Sequence, residues 1–459
     1  MAIPEAAGRR LLVITYHFPP DGSVGGLRWA GITKYLARLG WEVVVVTAVP
    51  PSGSDAAVGV QVESCPRFRT LLDAYQGLRR LAQRPRASFP DASSVARPSE
   101  PAGLLRRLRR EVEALLTLPD QSRGWVLRAA LRARSVCRQF QPQVVVSSGP
   151  PHSAHLVARM ATMGNAVRWF VDLRDPWAGP IATAWQSHPV IQTRVFRALV
   201  PRAERLAFRA AHGVIANTPQ LAEALAARYP DVAVTCIPNG VDPECLPPPA
   251  SRLYPGLGVA YAGTLFGSHD LGPVMRALRL LFERHPEAAQ AGSKLRVVGH
   301  ADASCAVALD EQVGSLGLEQ YVEVLGPLPR AQALDVVSRS RLAVVLAQEL
   351  EMQIPAKLYE LVAMGIPTLV LAGERSAAGV EGNRLGAVAL DPNDVAGIAC
   401  LLEQLWRDDS QQRSPCPASI TYDAIAARVD TLLRGNGAAP QLPRGGRNRR
   451  TSGLAAGPC

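Results

Sequence analysis

The chain has 459 residues, is 47% hydrophobic and 19% charged, and carries a formal net charge of +11. That length supports two domains with ordinary cores, and no run approaches the roughly 20 apolar residues that would span a bilayer. The eight cysteines are scattered, with no CxxC pair and no Cys/His cluster, which argues against structural zinc or a disulfide framework and predicts a reducing, cytoplasmic setting.

In chain order, strand and helix patterns alternate, the mark of an α/β protein with parallel sheets. Leu11–Tyr16 follows two arginines. Its apolar region is too short for a secretory signal and reads as the first buried strand. His17 to Gly26 is a loop, HFPPDGSVGG, and Leu27–Leu39 is an amphipathic helix stopped by Gly40. The second strand is EVVVVTA, from Glu42 to Ala48. Residues from about 50 to 102, rich in Pro, Ser, Ala and Arg, read as an irregular insertion or a lid. LLRRLRREVEALLTL follows, with Arg106, Arg107, Arg109 and Arg110 on one helix. A second basic cluster, Arg444, Arg447, Arg449 and Arg450, lies near the end of the sequence. Aromatics make up only 5% and no nucleic-acid fold motif is present, so no nucleic-acid partner is expected. Two readings stay open: a helix resting on an anionic membrane, or a solvated helix face and a disordered tail.

Val144–Ser148, Trp169–Asp172, Gly213–Ala216 and Val232–Ile237 are the next strands. A Pro- and Gly-rich linker follows near 243–256. The second half then supplies Val259–Ala262, Leu295–Val298, Val322–Leu325, Leu342–Leu346 and Thr368–Leu371. Residues 419–434 form one more amphipathic helix, and 435–459 read as a disordered basic tail. The organisation predicted is an N-terminal Rossmann-like domain over 1–245 and a C-terminal one over 246–434, facing across a cleft.

The stretch IPAKLYELVAMGIPTLVLA, Ile354 to Ala372, is the most informative. Pro355 suits the first helical position, Gly365 suits the helix end, and Pro367 blocks continuation. The helix opens toward a loop with free N–H groups and the positive end of its dipole, a ready anion site. Lys357 adds a cation there, and Glu360 can share its face at i,i+3. Such a group could hold a diphosphate and a ribose; equally it could be a plain surface Lys–Glu pair. Two further polar stretches end strands, where α/β proteins bind ligands. SSGPPHSAH carries His152, a candidate acceptor-side residue or a structural cap. DLRDPW carries Asp172, Arg174 and Asp175. Asp175 could orient or deprotonate a hydroxyl, and Arg174 could bind phosphate or pair with Asp172.

These motifs resemble the GT-B glycosyltransferases, specifically the retaining family 4 group, over about residues 10–434. HFPPDGSVGGLRWAGITKYLARLGWEVVVVT looks like the family's glycine loop, first helix and second strand. IPNGVD looks like the end of its N-terminal domain, YAGTLFGSHDL and LRVVGH like the start of its C-terminal one. IPAKLYELVAMGIPTLVLA looks like its donor-binding segment. The pair SSGPPHSAH and VDLRDPW resembles a bacterial subset tied to surface-polysaccharide assembly. The resemblance implies a GT-B fold whose C-terminal helix returns to the N-terminal domain. It also implies a metal-independent hexosyltransferase with no cofactor, acting on a nucleotide-diphosphate sugar and a glycan or lipid-linked acceptor. It assigns donor binding to Gly25, Gly26, Thr264, Lys357, Leu358 and Glu360, and catalysis to His152, Asp175 and Glu351. Arg174 and Asp172 fall on the acceptor side. The chain departs from the family at Met352, where a Glu usually stands, so either a shifted Glu351 serves as its counterpart or backbone groups near Met352 and Gln353 do. It departs again in GTLFGSHDLG, which lacks the family's Arg and Lys, leaving Thr264, His269 and the loop backbone to compensate. A sugar-nucleotide 2-epimerase, or a non-catalytic glycan- or nucleotide-binding protein, is the alternative on this fold.

Overall fold

The computed structural model describes residues 9–21, 24–50, 59–71, 73–74, 103–178, 193–408 and 413–435. Most of the expected insertion and the basic tail lie outside the described residues. The elements run β1 (Arg9–Thr15), α1 (Val24–Arg38), β2 (Trp41–Thr47), β3 (Val60–Ser64), α2 (Leu104–Thr117), α3 (Arg123–Phe140), β4 (Val144–Gly149), α4 (Ser153–Thr162), β5 (Arg168–Leu173), α5 (Arg194–Ala210), β6 (Gly213–Ala216), α6 (Pro219–Arg228) and β7 (Val234–Cys236). They continue with β8 (Gly258–Ala262), α7 (Gly272–Arg284), α8 (Pro286–Gln290), β9 (Lys294–Val298), α9 (Ala303–Leu316), β10 (Val322–Gly326), α10 (Arg330–Ser338) and β11 (Leu342–Leu346). The last are α11 (Ala356–Ala363), β12 (Thr368–Leu371), α12 (Ala377–Arg384), β13 (Val388–Leu390), α13 (Val395–Arg407) and α14 (Tyr422–Arg434).

The chain divides into two compact units. The first holds everything up to Ala216 together with Leu225–Thr235; the second holds Asn217–Ala224 and everything from Cys236. The first unit's sheet has the order β3-β2-β1-β4-β5-β6-β7, the second's β10-β9-β8-β11-β12-β13. Counted from each unit's own first strand, both begin 3-2-1-4-5-6, the doubly wound order. β1 pairs in parallel with β2 and β4, and β8 with β9 and β11. The order therefore reverses between β1 and β4 and between β8 and β11. Loops leaving the carboxyl ends of those strands diverge and open a crevice for ligands. Leu11, Leu12, Val13 and Ile14 of β1 and Val144, Val145 and Val146 of β4 are fully buried, as a parallel sheet covered on both faces requires. In the second unit α14 is anchored on the segment after β7. Tyr422 N–H donates to the Val241 carbonyl, and Val241 N–H to that of Ile420, each at 2.9 Å.

Several strands fall where the sequence puts them: β6, β11 and β12 match to the residue. Two were not expected. β3 lies inside the stretch read as irregular and pairs in parallel with β2, from Val43↔Val60 to Thr47↔Ser64, so that reading is corrected for 60–64. It is a sheet edge with only Val60 buried, and so lacks the apolar run that marks a central strand. β13 is likewise an edge, of three half-buried residues.

Candidate functional site

In the first unit the candidate residues gather at the switch point between β1 and β4. Asp172, at the end of β5, is fully buried. Its carboxylate accepts from Arg28 Nη2 at 3.0 Å, Arg28 Nε at 3.4 Å, Trp29 Nε1 at 2.8 Å and Ser148 Oγ at 2.7 Å. Burial alone would raise its carboxyl. The Arg28 charge and the bonds from Arg28, Trp29 and Ser148 outweigh this and hold it below the usual range. Asp172 has no exposed surface, and these bonds tie α1 to β4 and β5. The sequence reading placed Asp172 on the acceptor side and did not foresee Arg28, whose side chain is itself buried.

Gly25 and Gly26 lie in the first turn of α1. A Cβ at Gly25 would overlap the Arg174 guanidinium, and one at Gly26 would sit 3.1 Å from the Phe18 main chain. The missing side chains therefore let the helix start close against both. Arg174 Nη2 donates to the Pro150 carbonyl, and Arg174 N–H donates to the Gly149 carbonyl at 2.9 Å. Gly25, Arg174 and the 149–152 turn are thus one assembly, although the sequence separates them widely. Asp175 is half-buried beside it.

His152 stacks on Trp177, ring centroids 5.0 Å apart and 11° from parallel, and His155 packs at 5.2 Å from the same indole. His155 Nδ1 shares a hydrogen bond with Ser147 Oγ at 2.9 Å, which also accepts from Trp169 Nε1 at 2.9 Å. His152 Nδ1, His155 Nε2 and Trp177 Nε1 are shut off from solvent without a hydrogen-bond partner. Gly149 makes the convergence possible, since a Cβ there would lie 2.6 Å from His155 Nε2 and 3.0 Å from His152 Nδ1. Burial pushes the His152 imidazole well below its ordinary value, helped by His155 and Arg174. Burial also takes His155 down to about 3, with Asp172 only partly opposing. Both rings are neutral at pH 7. The half-buried Asp120 accepts from Ser153 N and Oγ, both at 2.7 Å, and so caps α4 from outside that helix. Asp120, His155 and Trp177 were not assigned roles in the sequence; the PD pair before a helix was the available signal for the first.

In the second unit the glycines carry the geometry. Gly299, at φ +126°, approaches Gly263 so closely that a Cβ would overlap the Gly263 carbonyl oxygen. The turns after β8 and β9 are further joined by Leu265 N–H to the His300 carbonyl at 2.8 Å and Asp302 N–H to that of Leu265 at 2.9 Å. Thr264 is exposed, and its carbonyl meets His269 Nδ1 at 3.0 Å. After β11, Gln348 grips the main chain of Asp270 on both sides, at 2.8 and 2.9 Å.

α11 begins one residue later than the sequence reading has it: Pro355 is the cap and Ala356 the first helical residue. Gly365 ends it at φ +68°. Leu358 is fully buried, in the core formed by Tyr359, Val362 and Ile366, so only its main chain is near the helix start. Lys357 Nζ donates to the Ala262 carbonyl at the end of β8. Burial lowers its pKa, with Glu360 opposing and Arg330 reinforcing. The direct partner of Glu360 is Arg330, at the start of α10, a cation that no local pattern announces because it lies 30 residues away. Glu351 is exposed, and its carbonyl accepts from Ala377 N–H at 2.8 Å. Met352 stands where the family's Glu was sought, and its carbonyl accepts from Thr218 Oγ1 at 2.7 Å. Among the described residues no three His, Cys, Asp or Glu side chains gather as a metal ion would need.

The sequence profile of Glycosyltransferase Family 4 matches residues 25–245. No curated relative matches the chain in sequence. Among solved structures, apo OtsA superposes with a TM-score of 0.60 at 12% identity, covering 93% of this chain and 99% of its own. Sucrose-phosphate synthase from Thermosynechococcus elongatus gives 0.56 at 16%, covering 93% and 99%. Anabaena HepE in complex with UDP and glucose gives 0.54 at 16%, covering 94% and 98%. At such identities the likeness establishes the fold, which is that of the GT-B glycosyltransferases.

Proposed function

We propose, for a chain whose residues 25–245 match the profile of Glycosyltransferase Family 4 and which has the GT-B fold, retaining transfer of a sugar from a nucleotide-diphosphate donor to a glycan or lipid-linked acceptor. The observation that carries this reading is the switch point of the second unit. There Lys357, the open N–H groups at the start of α11 and the Gly263–Gly299 turns stand together at the carboxyl ends of β8, β9 and β11. A helix N-terminus beside a cation suits a diphosphate, and Glu360 suits the ribose hydroxyls. The Thr264 loop and Leu358 main chain complete the donor side, and exposed Glu351 reaches for the sugar. HepE, of the same fold, holds UDP and glucose, which supports a nucleotide-sugar donor.

In the first unit, Gly25 and Gly26 offer main-chain N–H groups, and Arg174 a positive charge. The neutral, half-buried His152 is the imidazole assigned to exchange hydrogen bonds with a sugar hydroxyl, and Asp175, half-buried after Arg174, is assigned to orient it. The step breaks the bond from the anomeric carbon to the diphosphate oxygen and forms one from the acceptor oxygen on the same face. The acceptor proton passes to the leaving phosphate. The protein's part is to hold the two oxygens and to stabilise the departing charge, which Lys357 and the α11 dipole do without a metal. The setting proposed is polysaccharide or glycoconjugate synthesis at the cytoplasmic face of a membrane, with peripheral contact to anionic lipid.

A thermal-shift panel of UDP, GDP, ADP, TDP and their sugar conjugates tests the donor site, because a ligand that binds only the folded state raises its apparent stability. One nucleotide should give a clear rise, and its sugar conjugate should release nucleotide once an acceptor glycan is added. No shift at millimolar concentrations overturns the reading. Interconversion of the free sugar nucleotide without acceptor would mark the epimerase instead.

A further inference from the structure

Two adjoining helices of the first unit turn large apolar side chains to solvent. On α2, Leu108, Val112 and Leu115 are between 48% and 60% exposed, and their i, i+4, i+7 spacing sets them on one stripe. Arg107, Arg109 and Arg110 are exposed on the same helix, and among its described side chains only Ala114 is buried. α5 packs against α2. The Glu111 carboxylate of α2 clamps the start of α5, accepting from Arg194 N–H and Val195 N–H at 2.9 Å each. α5 in turn exposes Leu199 and Leu206, at 40% and 66%, seven residues apart and so on one face. It also exposes Arg197, Arg202, Arg205 and Arg209, while its one acid, Glu204, is buried. The exposed charge of α5 is therefore wholly positive, and one of the two acids of α2 is committed to α5.

We infer that α2 and α5 form a docking surface for an anionic lipid bilayer. The leucines and Val112 enter the boundary between headgroups and acyl chains, and the arginines meet lipid phosphates. No helix among the described residues is long and apolar enough to cross a membrane, so the contact is one of lying on the surface. Charge complementarity selects this occupant. A second copy would bring the same arginine-rich faces together without a row of acids to answer them, and a nucleic acid would leave the leucine stripes in water. This surface gives residues to the peripheral contact proposed above. Vesicle binding is measured without donor or acceptor, so its failure leaves the donor-site reading standing.

The test is co-sedimentation of the full chain with phosphatidylcholine vesicles, with or without phosphatidylglycerol. Variants would be Arg107→Glu/Arg110→Glu and Leu108→Ser/Leu115→Ser, all at exposed positions, with melting curves to confirm folding. Partitioning to the anionic vesicles should exceed that to the neutral ones by at least about tenfold, and the arginine variant should lose at least about tenfold. The leucine variant should lose the part of binding that survives high salt. Equal partitioning to both vesicles, no binding, or variants that bind like the parent overturns the inference. So does a parent dimer in sedimentation velocity that these variants abolish, which would assign the face to a second copy.

Discussion

Asp172 can be tested as a positioning residue with Asp172→Asn. The side chain is fully buried and accepts from Arg28, Trp29 and Ser148, and the Arg28 side chain opposite is 2% exposed. Truncation to Ala would leave that guanidinium buried and uncompensated, a loss of about 3–5 kcal/mol. That is a large part of the roughly 5–15 kcal/mol by which a domain is stable. Asn keeps the shape and one acceptor oxygen but loses the charge, so about 2–3 kcal/mol is expected, the scale of charge-assisted bonds made poorer. Urea denaturation at pH 7, followed through the tryptophan emission to which buried Trp29 and Trp169 contribute, reads this loss. A double-mutant cycle with Arg28→Met should show coupling of at least about 1 kcal/mol. The carboxyl is held below its ordinary value in the fold, so its contribution is present above the unfolded pKa and is lost as pH falls through the lower folded one. The parent's stability should therefore fall in acid, below the usual carboxylate range, more steeply than the Asn variant's. An Asn variant within about 0.5 kcal/mol of the parent, yet unable to use acceptor, would refute the assignment and return Asp172 to the acceptor side.

Three further expectations concern other parts of the molecule. Lys357→Ala should weaken binding of the responding nucleotide by about 1.5–3 kcal/mol in titration calorimetry; unchanged affinity in the folded variant removes Lys357 from the diphosphate. Gly299→Ala should cost at least about 2 kcal/mol in denaturant and abolish the nucleotide thermal shift, because the Cβ would overlap the Gly263 carbonyl at a φ that favours glycine; a variant as stable as the parent would show that the turns are not locked together. Glu204 is raised from 4.5 to about 7 by burial, which Arg228 only partly offsets. Its contribution is thus full below about 4.5 and lost as pH rises through about 7, a swing of roughly 3 kcal/mol at about 1.4 kcal/mol for each tenfold. Glu204→Gln should flatten the fall in melting temperature between about pH 4.5 and 7 and be the more stable protein at pH 8; parallel curves would sink the argument.

What was legible in the sequence was what local pattern encodes. Central parallel strands are continuous apolar runs, so β11 and β12 could be bounded to the residue, and Gly365 announced the end of α11 through a backbone conformation few other residues tolerate. Edge strands carry no such run, and β3 and β13 were missed for that reason. The site divides along the same line. Lys357 and Glu360 were found because i,i+3 spacing is local, but their partners, the Ala262 carbonyl and Arg330, are brought in by the fold. Asp172 was noticed, but its partner Arg28 lies 144 residues away and no local pattern announces it.

The two units arrive at comparable solutions by unlike chemistry. In the first, Gly149 clears space for two imidazoles, and burial keeps both neutral, so that end of the sheet offers hydrogen bonds beside Arg174 and the Arg28–Asp172 pair. In the second, Gly299 lets two main-chain turns meet, and a helix start with Lys357 supplies positive potential. A sugar hydroxyl is best oriented by neutral groups that can both donate and accept, and a diphosphate by fixed dipoles and a cation. Swapping the characters, by Lys357→Met in the second unit or a cation in place of His152 in the first, should impair donor and acceptor use separately.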